Sequence, residues 1–119
     1  HGRELWKSEG TAEGTLMVRD IYTGTGNSTP SDLVVVNGLL LFSADDGIHG
    51  EELWVSDGTA EGTMMIRDIL VGADSTYPQS LTVVNNTLFF SARDGIHGDE
   101  LWAVTVAHRV YLPLVSKTP

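Results

Sequence analysis

A period of 48 residues constrains this chain more than any other feature. The stretch Glu52-Leu53-Trp54-Val55-Ser56-Asp57-Gly58-Thr59-Ala60-Glu61-Gly62-Thr63 occurs once before, as Glu4-Leu5-Trp6-Lys7-Ser8-Glu9-Gly10-Thr11-Ala12-Glu13-Gly14-Thr15. Its opening returns as Glu100-Leu101-Trp102. Trp6, Trp54 and Trp102 are 48 apart, and so are His1, His49 and His97. Residues 1–48 laid on 49–96 without a gap are identical at 29 of 48 positions. A fixed period of this size predicts a repeat architecture whose fold is read from one unit.

Within one period the apolar segments are short and separated by turn residues. Strands are expected at 33–36, 39–43, 52–56 and 63–69. Asn37-Gly38 is a strong hairpin signal, because both residues accept positive φ. No segment keeps apolar spacing of three and four, so no helix is expected. Leu39-Leu40-Leu41-Phe42 and Val34-Val35-Val36 do not alternate with polar residues, which predicts strands buried on both faces. Four antiparallel strands, buried on both faces and repeated at this length, describe a blade of β-propeller type. A sandwich ranks second and a β-solenoid third. The expected fold is therefore all-β, with about two and a half four-stranded blades in 119 residues. Residues 1–31 supply the second half of a repeat, 32–80 a complete one, and 81–107 the first three strands of the last. Residues 108–119 form a C-terminal tail that suits an added strand.

Composition excludes several classes. Hydrophobic residues make up 41% of the chain, too many for a disordered protein. Seven basic and 16 acidic residues give a formal charge of -9, which repels nucleic acid and anionic membrane surfaces. Without cysteine there are no disulfides or thiolate metal sites. No apolar run reaches the length of a membrane helix. The chain starts at His1-Gly2 inside a copy of the motif, which fits a processed mature chain or a piece of a larger protein.

The Glu-Leu-Trp openings, Asp57-Gly58-Thr59, Gly62-Thr63 and Arg67-Asp68-Ile69 resemble the ELWxxDGT repeat family of large secreted or surface bacterial proteins. The resemblance covers residues 1 to about 104. Glu9 stands in place of the motif aspartate in the first copy, and the third departs after Trp102. The resemblance implies an extracellular or cell-surface repeat protein with propeller-like blades, and implies no reaction. Residues 109–115 are similar to C-terminal tails of some secreted bacterial proteins.

Candidate sites are weighed against plainer roles. Trp6, Trp54 and Trp102, with Leu5, Leu53 and Leu101, are expected as core anchors between sheets, since aromatic side chains bury the most area; a sugar-stacking surface is the alternative. Asp45, Asp46, Glu51 and Glu52, and later Asp94, Asp99 and Glu100, are hard oxygen ligands of the kind Ca²⁺ takes. They lack the spacing of a calcium loop, so turn capping is the simpler expectation and no cofactor is required. The histidines are expected to hydrogen-bond within their loops. Arg19 and Arg67 are expected to meet a neighbouring strand or loop. Asn27 and Asn85 begin N-glycosylation sequons. No nucleophile–base pair is apparent, so the chain reads as non-enzymatic.

If the tail serves as a fourth strand, the last blade is complete and the first is a half-blade, and two and a half blades cannot close a ring. Open edges and faces recruit partners. The expected function is a structural or adhesive protein that assembles with itself into a ring or filament. The tail residues Val110, Tyr111, Leu112, Leu114 and Val115 are the candidate strand added to a neighbouring sheet. The alternatives are a carbohydrate-binding propeller lectin and the C-terminal part of a larger surface propeller.

Overall fold

The computed structural model describes residues 2–67, 77–93, 98–106 and 113–117. The described residues form ten strands and no helix: β1 (Leu5–Ser8), β2 (Thr15–Arg19), β3 (Ser31–Val36), β4 (Leu39–Asp45), β5 (Glu51–Ser56), β6 (Met64–Arg67), β7 (Gln79–Val84), β8 (Thr87–Arg93), β9 (Asp99–Val106) and β10 (Pro113–Lys117). They make three antiparallel sheets. The first is β1-β2, the middle sheet is β3-β4-β5-β6, and the last is β7-β8-β9-β10. Each runs in sequence order, as hairpin connections dictate. None is closed into a barrel.

The turns follow from local chemistry. Asn37 and Gly38 both adopt positive φ, 51° and 83°, and join β3 to β4 in two residues. Asn85 repeats this one period later with φ 57°. Such turns match the twist of the strands they join. The motif loop between β5 and β6 is held by its own residues. Ser56 Oγ and Thr63 Oγ1 lie 2.7 Å apart, and Gly62 N donates to Thr59 Oγ1 at 3.0 Å. Thr63 Oγ1 donates to Thr59 O at 2.6 Å. Ser8, Thr11, Gly14 and Thr15 make the same bonds between β1 and β2. The recurrence of serine, glycine and threonine in the motif is thus accounted for by the loop itself.

Period two decides which side chains meet. In the middle sheet, Leu41, Leu53 and Val55 lie on one face, with Leu39 and Val36. They pack against Leu88, Phe90, Ala92, Trp102, Val104 and Val106 of the last sheet. Phe42, Ala44 and Trp54 lie on the other face and pack against Leu5, Val18 and Ile21. The unalternating run of β4 is therefore apolar because both of its faces are covered. Phe42 stands directly opposite Trp54, and Phe90 opposite Trp102, so the same aromatic pair recurs in both four-stranded sheets. Among the described strands of the two larger sheets, β3 and β7 approach each other most closely.

The tail takes one of the two places open to it, the fourth strand of the last sheet. Instead of reaching a neighbouring sheet, Leu114 and Val115 lie in β10, which pairs with β9 of its own sheet. Leu114 is the partner of Thr105, and Val115 of Val104. The nearest free edge captures the tail because β9 ends only a few residues before it, so closing the loop costs little entropy. Pro113 begins this outermost strand, a position where a missing N–H is tolerated. Val110, Tyr111 and Leu112 lie outside the described residues.

Candidate functional site

Three identical tryptophans occupy three different environments. Trp54 is 5% exposed and Trp102 6%, whereas Trp6 is 55% exposed. The expectation that Trp6 is a core anchor is corrected here. Trp6 sits on the face of β1-β2 turned away from the middle sheet, with Met17 opposite it. It lacks the facing sheet that covers its two counterparts. It also lacks the strand that places a phenylalanine beside each of them, since β1 is paired with β2 alone among the described strands. Leu101 is corrected in the same way. Leu5 and Leu53 are buried, but Leu101 is 50% exposed on the outer face of the last sheet. The indole N–H groups differ too. Trp102 Nε1 donates to Ala92 O at 3.3 Å, while buried Trp54 Nε1 finds no acceptor among the described residues.

Where the first sheet stops short, a cleft of about 240 Å³ opens against the middle sheet. Leu5, Val18, Val35 and Leu40 line its apolar side, and Lys7 and Asp57 its rim. Among the described strands, the two that β3 and β4 represent in the middle sheet have no counterpart in the first, and Val35 is exposed. Two basic residues bridge the remaining contact. Lys7 Nζ donates to Gly58 O at 2.7 Å, and Arg19 Nη1 donates to Thr63 O. The arginine thus meets the motif loop of the next sheet, as its spacing suggested. Lys7 is a position that reading the sequence missed, since Val55 and Ala103 replace it in the later copies.

The motif glutamate has a role that reading the sequence did not give it. Glu4 is buried, and its carboxylate accepts from Ile21 N at 2.5 Å, Tyr22 N at 3.2 Å and Ser28 N at 3.1 Å. It organises the crossing from β2 to β3. Glu52 is fully buried at the same position one period on. The signal lay in the repeat. The residue before this glutamate changes through Arg3, Glu51 and Asp99, while Glu4, Glu52 and Glu100 do not change.

The acidic loop between β4 and β5 is engaged by its own backbone. Asp45 Oδ1 accepts from Gly47 N at 2.7 Å. Asp46 Oδ1 accepts from Ile48 N and His49 N, both at 2.8 Å, and its Oδ2 lies 2.7 Å from His49 Nδ1. Glu51 accepts from Ser43 Oγ at 3.2 Å. Among the described residues, no three acidic or histidine side chains gather where a metal would be held. Asp99 is exposed at the start of β9, opposite Arg93, and Asp94 lies outside the described residues. Asn27 is exposed, and its Oδ1 accepts from Arg3 N at 2.5 Å; Asn85 is exposed in its turn.

Two predictions belong to this loop. Burial alone would raise the Asp46 carboxyl, but the N–H groups of His49 and Ile48 and the His49 ring outweigh it and hold the carboxyl below its ordinary value. The unfolded carboxyl, at about 3.9, therefore takes up its proton first as pH falls. The stabilisation is complete above that value and is lost as pH falls through the depressed folded value. Melting temperatures of the wild type and Asp46→Asn should differ at neutral pH and converge in acid; parallel curves would refute the role. Gly47 has φ +84°, and a Cβ there would lie 2.8 Å from the Tyr22 ring. Gly47→Ala should cost about 1–3 kcal/mol in urea unfolding. Gly58→Ala has similar φ but open space, and should cost only about 1 kcal/mol. Equal losses would mean that the Tyr22 contact contributes nothing.

Comparison of this chain with family models, with curated proteins and with solved structures returns no match.

Proposed function

We propose that this chain is a non-enzymatic structural or adhesive repeat protein of the cell exterior, built from propeller-type blades, that assembles with copies of itself. One observation carries the reading: the same face-to-face packing occurs twice within the chain, and one of the two kinds of face that make it is left uncovered at each end. The close approach of β3 and β7, the first strands of their sheets, supports a wedge-like arrangement of blades around an axis. The motif loops and the acidic loop engage their polar groups with their own backbone, which supports a structural role over a catalytic one. The exterior location rests on the resemblance of the motif. The native mass in solution, measured by sedimentation across a concentration series, tests the proposal. A mass above 12.9 kDa that rises with concentration is expected; a monomer throughout would overturn it.

The exposed Trp6 favours a second reading, a carbohydrate-binding lectin. An exposed indole with polar neighbours suits a sugar face. Glycan-array binding that Trp6→Ala removes without lowering the melting temperature would establish it. A longer chain with more copies of the period would cover the same faces within one molecule, which is the third reading.

A further inference from the structure

Resting on the self-assembly reading above, we infer that copies of this chain join head to tail. The outer face of the last sheet, carrying Leu101, docks on the Trp6 face of the first sheet of the next copy.

The direction comes from the two interfaces inside the chain. Each four-stranded sheet turns its tryptophan face towards the sheet before it. Trp54, Phe42 and Ala44 meet Leu5, Val18 and Ile21. Trp102, Phe90 and Ala92 meet Leu41, Leu53 and Val55. Each sheet therefore has two unlike faces, and one kind always packs on the other. At the ends one face of each kind remains. Val84 is 52% exposed where its counterpart Val36 is 1% exposed, and it shares its face with Leu101, Phe89 and Ala103. The opposite end offers Trp6 with Met17.

A second copy is the occupant that these observations select. Each free face already has its complement in this sequence, used once or twice in the same pairing. The intermolecular contact continues an interface that the fold contains. Because the two faces differ, the contact is heterologous, and it propagates until the rotation closes a ring or continues as a filament. The match is looser than inside the chain, since Thr87 and Ala103 stand where the inner sheet has Leu39 and Val55. Association is accordingly reversible and concentration-dependent.

The test uses two full-length variants, each blocking one face: Trp6→Arg and Leu101→Arg. Both sites are exposed, so both variants should keep the wild-type melting temperature in dilute solution. Each alone should weaken association by about tenfold or more. Mixed in equal amounts they should form a 1:1 dimer and stop there, because the sound face of each copy finds the sound face of the other. Should either arginine variant fail to fold, Trp6→Gln and Leu101→Gln are read in the same way. A mixture that stays monomeric, or assembly sensitive to only one of the two substitutions, overturns the head-to-tail pairing while self-assembly stands. A wild-type chain that is monomeric at every concentration overturns both, and assigns the faces to a partner of different sequence.

Discussion

Trp54→Ala is expected to destabilise the monomer by about 3–5 kcal/mol. The indole fills the space between the first and middle sheets, opposite Phe42 in the next strand and against Leu5, Val18 and Ile21. Removing it leaves a cavity between two sheets whose backbones are each held by their own ladders and cannot easily close the gap. Its N–H has no acceptor among the described residues, so the loss is one of packing without a lost hydrogen bond. A domain of this size has only about 5–15 kcal/mol in total, so the variant should be partly unfolded at moderate temperature. The control is Trp6→Ala, with the same residue in the same motif. In dilute solution it should change stability by about 0.5 kcal/mol or less, because its side chain is already in water. Urea unfolding of both, below the association range, measures the contrast. Equal losses would contradict the placement of Trp6 on a free face.

The second large effect is expected at Glu4. Glu4→Ala leaves the backbone N–H groups of Ile21 and Tyr22 without their acceptor, while Ser28 N keeps Arg3 O at 2.8 Å. Ile21 is buried and Tyr22 half-buried. Each unsatisfied buried donor costs about 1–3 kcal/mol, so a loss of about 2–4 kcal/mol is expected. Glu4→Gln keeps one acceptor oxygen and should fall between the two. Glu9→Ala, an exposed acid a few residues on, should be nearly silent. Amide exchange gives an independent reading, since protection at Ile21 should fall far more than at Val36. If Glu4→Ala unfolds like wild type, the crossing from β2 to β3 is held by something else, and the recurrence of the motif glutamate needs another cause.

Much of the strand pattern was legible because the relevant physics is local. Asn37-Gly38 announces its turn through the φ values it tolerates. The unbroken apolar run of β4 announces cover on both faces, since a strand with one wet face alternates. The count that left the first sheet with only two strands, and allowed the tail a place as the fourth strand of the last sheet, needed only the period and the hairpins. The motif glutamate was harder. An acidic residue beside a glycine turn suggests solvent or a metal, and only the fold brings Ile21 and Ser28 to its oxygens from 17 and 24 residues away.

By itself, then, the sequence determined the unit: four short strands, their turns, and two apolar faces per sheet, all set by contacts between residues near one another in the chain. The tertiary structure alone decided what each copy of that unit experiences. Trp6 and Trp54 have the same neighbours in sequence, yet one is in water and the other in the core. Burial is a property of what lies across the face, and that depends on which sheets are present on either side. The tail shows the same division. Its apolar residues mark it as a strand, but the choice between its own sheet and another was made by the free edge of β9 close at hand.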